Sequence, residues 1–236
     1  MSRLCQDDMK LLAARYALSF IEDGFTVGVG SGSTAMIFLR LLAEKIKRGE
    51  LSNITLVPTS TEVEYNATRL GVEKNILQPW QVDKIDVAVD GADEVTPSRD
   101  LLKGCGGALT GEKIVDYAAD KLIIIVDETK LVDKLGSRHP VPVEVLPRAW
   151  RLVSRTLESR FGGEARLRVL EHGKRGPLVT DNGCFLVDWY RSLSEDPEVV
   201  EREVKSIVGV VEVGIFPRSH VYKVIVAHSD GTVTEI

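Results

Sequence analysis

Cysteine is scarce. Cys5, Cys105 and Cys184 are the three cysteines of the 236-residue chain, and no two of them form a CxxC pair. That excludes zinc-finger spacing and an even disulfide framework, so reduced, buried or half-buried thiols are expected. No uncharged apolar run approaches the about 20 residues that cross a bilayer. The longest charge-free stretch, 24–39, is broken up by Gly, Ser and Thr, and Asp7, Asp8 and Arg15 interrupt any signal-peptide core. A basic excess is also missing: 30 Lys plus Arg stand against 35 Asp plus Glu, a formal charge of -5. A dedicated nucleic-acid binder would normally carry a basic field. His139, His172, His220 and His228 are too scattered for metal spacing, and no nucleophile elbow, internal repeat or low-complexity tract occurs. What is left is a cytoplasmic-type, soluble chain with no membrane or nucleic-acid partner, 44% hydrophobic and 28% charged, large enough for one or two domains.

Apolar positions Met9, Leu12, Ala13, Tyr16, Ala17 and Phe20 recur at helical spacing and predict a helix over 6–21. Residues 25–29 read as a strand, 30–33 as a tight turn and 34–48 as a helix. A second strand at 54–57 runs through a hydroxyl-rich turn into a helix starting near Glu62. A third, 85–89, ends in Asp90, Gly91, Ala92, Asp93 and Glu94. A helix over 111–119 then leads into an aliphatic strand at 122–126. Strands that alternate with helices and are apolar throughout predict an α/β fold, its parallel sheet covered on both faces. Ligands gather at the carboxyl ends of such strands, and every unusual polar cluster here follows a strand end.

Beyond Gly136 the texture changes. Pro140, Pro142 and Pro147 precede a helix carrying Trp150, Val153, Leu157 and Phe161 on one face. Strands follow near Leu167 and at 184–189, then a helix over 197–207 and a strand over 211–216. The expected division is one domain over 1–135 and 217–236 and a smaller α+β domain over 136–216. The chain then ends in strands at 222–227 and 232–236, joined by a hairpin turn at Ser229, Asp230 and Gly231. Segment 148–175 holds eight Arg or Lys against three Glu. Arg148, Arg151 and Arg155 lie opposite the apolar helix face, so this segment reads as a solvated or oligomer-facing surface.

Three clusters can carry chemistry. The first is Gly28-Val29-Gly30-Ser31-Gly32-Ser33-Thr34, where glycines admit close approach and a helix N-terminus offers N–H groups, a combination suited to phosphate. Its glycine spacing is not the dinucleotide fingerprint, no acidic residue ends the second strand, and a P-loop lysine is missing. The bland alternative is a capped strand-to-helix turn. The second, Asp90-Gly91-Ala92-Asp93-Glu94, packs three carboxylates into five residues, fit for a divalent metal, for sugar hydroxyls or for a solvated turn. In the third, Lys103-Gly104-Cys105-Gly106-Gly107, Lys103 can stabilise an oxyanion and the glycines admit a ligand. Glu112 stands at the start of the next helix, where a Glu is often only a dipole-satisfying residue.

These runs resemble the signatures of the ribose-5-phosphate isomerase A family: Gly28 to Ala35, Val89 to Glu94 and Lys103 to Lys113, with further likeness from Lys10 to 180–183 and 209–216. The resemblance implies interconversion of ribose 5-phosphate and ribulose 5-phosphate in the pentose phosphate pathway, with no metal and no organic cofactor. It also implies a Rossmann-like domain plus a smaller α+β domain, assembled as a homodimer or homotetramer. By position, Glu112 matches the catalytic base, and Asp90, Asp93 and Lys103 match polar groups around the sugar. Gly91, Ala92, Gly104, Cys105 and Gly106 fall in substrate-binding loops. Ser31, Gly32, Ser33 and Thr34, with Lys130, match phosphate or substrate contacts, and Lys10 matches a lysine near the phosphate. The chain departs from the family at Ser31 (usually Thr), Cys105 (usually Gly) and Gly111 (commonly Arg). Cys105 brings a Cβ into a loop expected to need positive φ, and the loss of a basic residue at 111 is expected to affect Glu112. Isomerisation through an enediolate needs one base and donors at the developing oxyanion, which agrees with this assignment. A sugar-phosphate sensor would need an attached DNA-binding module, for which no segment is left over. An amino-sugar phosphate deaminase would release ammonia.

Overall fold

Strands form here where β-branched and aliphatic residues run uninterrupted: Leu122–Asp127 reads Leu-Ile-Ile-Ile-Val-Asp and is buried throughout. The computed structural model describes residues 3–171, 173 and 175–236, so His172 lies outside the described residues. The helices are α1 (Gln6–Ala17), α2 (Gly32–Lys47), α3 (Thr61–Arg69), α4 (Leu109–Ala118), α5 (Trp150–Phe161) and α6 (Pro197–Lys205). The strands are β1 (Thr26–Val29), β2 (Thr55–Pro58), β3 (Val87–Asp90), β4 (Glu94–Val95), β5 (Leu101–Leu102), β6 (Leu122–Asp127), β7 (Val141–Val145) and β8 (Glu164–Leu167). They continue as β9 (Val169–Leu170), β10 (Gly176–Pro177), β11 (Phe185–Tyr190), β12 (Val210–Val213), β13 (Ile215–Phe216), β14 (Lys223–Ala227) and β15 (Val233–Glu235).

The chain divides into two compact units: Met1–Ala92, Gly111–Leu131 and Ser219–Ile236 form the first, Asp93–Thr110 and Val132–Arg218 the second. The first is an α/β layer structure. Its six-stranded sheet has the order β15-β14-β6-β3-β1-β2 and is parallel except for the final β14/β15 hairpin. Val29 pairs with both Val89 and Pro58, so β1, β2 and β3 end at one edge. On one face Met9, Ala13, Phe38, Leu39 and Leu42 of α1 and α2 pack against Val27, Val29, Leu56 and Ile123. On the other, Val115 of α4 packs against Val57 and Ile85. Gly28 lets α4 approach, because a Cβ there would stand 2.7 Å from Val115 Cγ1.

The second unit holds an antiparallel sheet, β12-β7-β11-β8, with smaller sheets β13-β5-β4 and β10-β9. Trp189, Val143 and Val145 of the four-stranded sheet pack with Val153 and Leu157 of α5 and with Val200 and Val204 of α6. Arg148, Arg151 and Arg155 are exposed, on the solvated side expected for them. Three features differ from the sequence reading. Residues 93–110 and 132–135 belong with the second unit, because β4 pairs with β5, β5 with β13, and Val132 N–H with Val95 O. The single strand expected over 211–216 is two strands in two sheets. Its break is Gly214, where a Cβ would stand 2.3 Å from Lys103 O and 2.7 Å from Pro142 Cδ. Finally, β7 forms despite Pro142, which sits beyond the end of its pairing with β12.

No helix among the described residues is long and apolar enough to cross a membrane. All three cysteines are free; Cys105 is half-buried and Cys184 buried, but Cys5 is exposed, against the expectation for it, because it precedes α1 at the surface.

Candidate active site

In the first unit the chemistry gathers where β1, β2 and β3 end. Gly30 donates its N–H to Val89 O at 2.9 Å. A Cβ on Gly30 would fall 1.9 Å from Asp90 Oδ1, so only glycine leaves room for that carboxylate. Asp90 is fully buried, and its Oδ1 accepts the Gly91 N–H at 2.6 Å. Ser31 Oγ lies 2.8 Å from Thr59 Oγ1 and 2.7 Å from Ser60 Oγ, while Thr59 donates to Val29 O at 2.9 Å. With the Thr59 hydrogen committed to Val29, the bonds run in one sense: Ser60 gives to Ser31, Ser31 to Thr59. The hydroxyl kept at position 31 is thus built into the turn.

The helix α2 begins at Gly32, two residues before the expected start, with φ +85. Its N–H donates to Glu62 Oε2 at 3.0 Å. Ser33 is exposed and Thr34 half-buried at the head of this helix. Gly111 fits closely against the exit of β2: a Cβ there would stand 2.0 Å from Thr59 O. The first turn of α4 therefore lies directly on the Thr59 turn, and Glu112, the next residue, is buried at 6% exposure.

Lys130 ends a short 3-10 turn, Glu128–Lys130, that leaves β6 at the same edge. Asp127 caps that turn by accepting the Thr129 N–H at 3.0 Å, and its Oδ2 accepts from Gln6 Nε2 at 3.2 Å. Lys10 stands one turn after Gln6 on α1, on the same helix face, with its Nζ 3.7 Å from Asp7 Oδ1. In the first unit Ser31, Asp90 and Lys130 thus stand at the ends of the parallel strands β1, β3 and β6.

In the second unit Asp93 Oδ2 accepts the Cys105 N–H at 2.9 Å. Lys103 is buried, its N–H bonded to Gly214 O at 2.9 Å and its Nζ 5.3 Å from the Phe216 ring centroid. Gly104 (φ +95) and Gly107 (φ +90) carry the left-handed positions and close the turn through Gly107 N–H to Gly104 O at 2.9 Å. Cys105 is not among the non-glycine residues with positive φ, so its Cβ costs no backbone strain. Burial, and then the charge of Asp93, push its thiol pKa up. Glu94 acts on the backbone instead. Fully buried, it accepts the N–H groups of Gly136, Arg138 and His139 at 2.6, 2.7 and 2.8 Å. Among the described residues no three His, Cys, Asp or Glu side chains are grouped to hold a metal ion.

Sequence reasoning passed over Thr59, Ser60 and Glu62, whose only signal was the hydroxyl-rich exit of β2, and Arg168, which donates to Cys105 O at 2.8 Å. The Thr180 and Asn182 side chains donate to the buried Glu144 at 2.5 and 3.1 Å, as does Thr110.

The family model described as ribose 5-phosphate isomerase A (phosphoriboisomerase A) matches residues 55–231. The chain is 50% identical over 212 residues to ribose-5-phosphate isomerase A of Pyrococcus horikoshii, covering 89% of this chain and 90% of that protein. It is 43% identical over 232 residues to ribose-5-phosphate isomerase A of Methanocaldococcus jannaschii, covering 98% and 99%. Among solved structures, a D-ribose-5-phosphate isomerase in complex with phospho-erythronic acid matches with TM-score 0.93 and 45% identity over 99% of both chains. Ribose 5-phosphate isomerase from Plasmodium falciparum matches with TM-score 0.89 and 30% identity over 98% of both.

Proposed function

The chain belongs to the ribose 5-phosphate isomerase A family and interconverts ribose 5-phosphate and ribulose 5-phosphate; from that premise we propose the roles of its residues. Glu112 is the base. Its carboxylate takes the proton from C2 of the open-chain aldose, the C1 carbonyl oxygen becomes the enediolate oxygen, and Glu112 gives a proton to C1, in part exchanged with solvent while it rests on the carboxylate. The hydroxyl proton of O2 passes to O1, so the sugar is isomerised with no net gain or loss. Lys103 and the N–H groups of Gly104, Cys105 and Gly106 are donors for the oxyanion. Asp90 and Asp93 bind sugar hydroxyls and serve ring opening, next to the backbone of Gly91 and Ala92. Ser31, Gly32, Ser33, Thr34, Lys130 and Lys10 hold the phosphate, whose remote binding energy keeps a short sugar in register.

One observation carries the assignment of the base. The Gly111 backbone rests on the carbonyl oxygen of Thr59, the residue whose hydroxyl meets Ser31, and the next residue, Glu112, is buried, which supports its reading as the base. A relative at 45% identity holds phospho-erythronic acid, a molecule that combines a phosphate with a carboxylate beside a hydroxyl-bearing carbon, the charge pattern of an enediolate phosphate. The resemblance further supports a cytoplasmic homodimer or homotetramer in the pentose phosphate pathway, working without metal or organic cofactor.

Glu112→Gln tests the base. It keeps shape and hydrogen bonding but removes the proton acceptor, so turnover and solvent-deuterium incorporation should fall together by about 10²–10⁴-fold. Phospho-erythronic acid should still bind the variant. Turnover and exchange near the unsubstituted rate would make Glu112 a helix-start residue only and pass the role to Asp90 or Asp93.

A further inference from the structure

Arg168 directly follows β8, and its side chain is 16% exposed against a partner Asp188 that is 13% exposed. Nε donates to Asp188 Oδ2 at 2.8 Å and Nη2 to Asp188 Oδ1, a two-pronged pair. Burial opposes the guanidinium charge, but the bond to Asp188 outweighs it and the pKa is raised. The third arm leaves the pair: Nη1 donates to the backbone carbonyl of Cys105 at 2.8 Å. On the other side of that residue, Asp93 takes the Cys105 N–H. Both peptide groups flanking Cys105 are thus held by charged side chains.

A buried ion pair is weak evidence for stability, since apolar residues of similar volume often do as well. What this pair supplies is direction. In a planar trans peptide the carbonyl and the following N–H point opposite ways. With Cys105 O fixed on Arg168, the Gly106 N–H is aimed away from Arg168. Gly106 is also open, with nothing within 4 Å of where a Cβ would stand.

We propose that Arg168, locked by Asp188, is a positioning residue for the isomerisation: it turns the 105–106 peptide so that the Gly106 N–H donates to the enediolate oxygen. This rests on the reading of 103–107 as the oxyanion-side loop.

Four variants test it. Arg168→Met removes the fork and the bond to Cys105. Arg168→Lys keeps the charge but cannot serve Asp188 and Cys105 together. The double variant Arg168→Met with Asp188→Leu leaves no unpaired buried carboxylate and guards against misfolding. Arg166→Met, two residues earlier, removes an exposed pair with Glu164 and is the control. Losing a charged hydrogen bond predicts a fall in kcat of about 10- to 100-fold in Arg168→Met and the double variant, and less in Arg168→Lys. Inhibition by inorganic phosphate should hold steady in all four. Unchanged kcat in a folded Arg168 variant overturns the proposal. So does joint loss of kcat, phosphate inhibition and cooperative melting in both Arg168→Met and the double variant, which would make Arg168 a support of the fold. Lys103→Met separates the underlying reading: if it leaves turnover intact, the loop is not on the oxyanion side, whatever Arg168 does. If Lys103→Met abolishes turnover while the Arg168 variants do not, only the positioning role falls.

Discussion

Gly30 shows how much one missing carbon can decide. Its role is invisible to spacing arguments, which treat it as one glycine of a phosphate-type turn, yet its hydrogen faces the Asp90 carboxylate. Asp90 is fully buried at a strand end and has little room to retreat. Gly30→Ala therefore forces Asp90 or the turn to move. Overpacking of this kind costs about 1–3 kcal/mol of stability, and a displacement of about 1 Å at a site costs roughly 100-fold in rate. Thermal melting and kcat measured on the same preparation should show the second effect exceeding the first. A variant with full turnover would mean that Asp90 has slack and is not held for chemistry. Cys105 teaches the converse. A non-glycine residue in a glycine loop suggests strain from the sequence, but Gly104 and Gly107 absorb the positive φ values on either side. Which residue of a glycine-rich loop takes the left-handed conformation depends on the turn closed between Gly107 N–H and Gly104 O, a contact that composition does not encode.

Elements were legible in proportion to their length and apolar continuity. The strands β1, β2, β3 and β6 are short aliphatic runs bounded by Gly, Ser or Asp, and helices α1, α5 and α6 show clear periodicity. Two-residue strands such as β4, β5 and β13 carry no periodic signal; they exist because they pair, β4 with the nearby β5 and β5 with β13 more than 100 residues away. The break of one apparent strand at Gly214 is likewise set by Lys103 and Pro142, both distant in sequence. At the head of α2 the sequence signals a phosphate turn but not its resident acceptor. Glu62 of α3 accepts the Gly32 N–H. On its proposed placement at that helix end, a dianionic phosphate must displace a carboxylate of its own sign. Glu62→Ala removes both the competing acceptor and the repulsion, so inhibition by inorganic phosphate should tighten by about three- to tenfold. Weaker inhibition would instead make Glu62 a support that keeps the turn in its binding shape.

Across the whole molecule, the number of units and their α/β and α+β characters were readable from the change in texture after Gly136, but the exact residues of each were not. Segment 93–110 reads as part of the first domain because it follows a sheet strand, whereas its hydrogen bonds run to β13 and the 136–139 loop. Surface charge is the property that belongs to the chain as a whole, and it sets a pH response. Burial pushes the Asp86 carboxyl up, yet Lys84 and the Thr26 N–H outweigh it and hold it below its usual 3.8. Glu128 is held below 4.5 by Ser229 and His228, Glu235 by Lys223 and Glu164 by Arg166. Each of these carboxylates binds its proton at lower pH in the folded chain than in the unfolded one. The unfolded chain therefore takes up protons first as the solution is acidified, and stability falls with it. The contribution is complete above the unfolded values of 3.8 and 4.5 and is lost as pH drops through the lower folded values. These pairs lie at the surface, each with at least one partner a third or more exposed, so each one counts for little and salt screens them. The urea midpoint should stay level on the neutral side and decline below about pH 4.5. That decline should shrink at about 1 M salt, where the Debye length is about 3 Å. Lys84→Met should lower the midpoint at neutral pH and flatten the acid decline, because Asp86 then loses the partner that keeps it ionised. A midpoint that stays level down to about pH 3 would show that these carboxylates bind protons equally in both states.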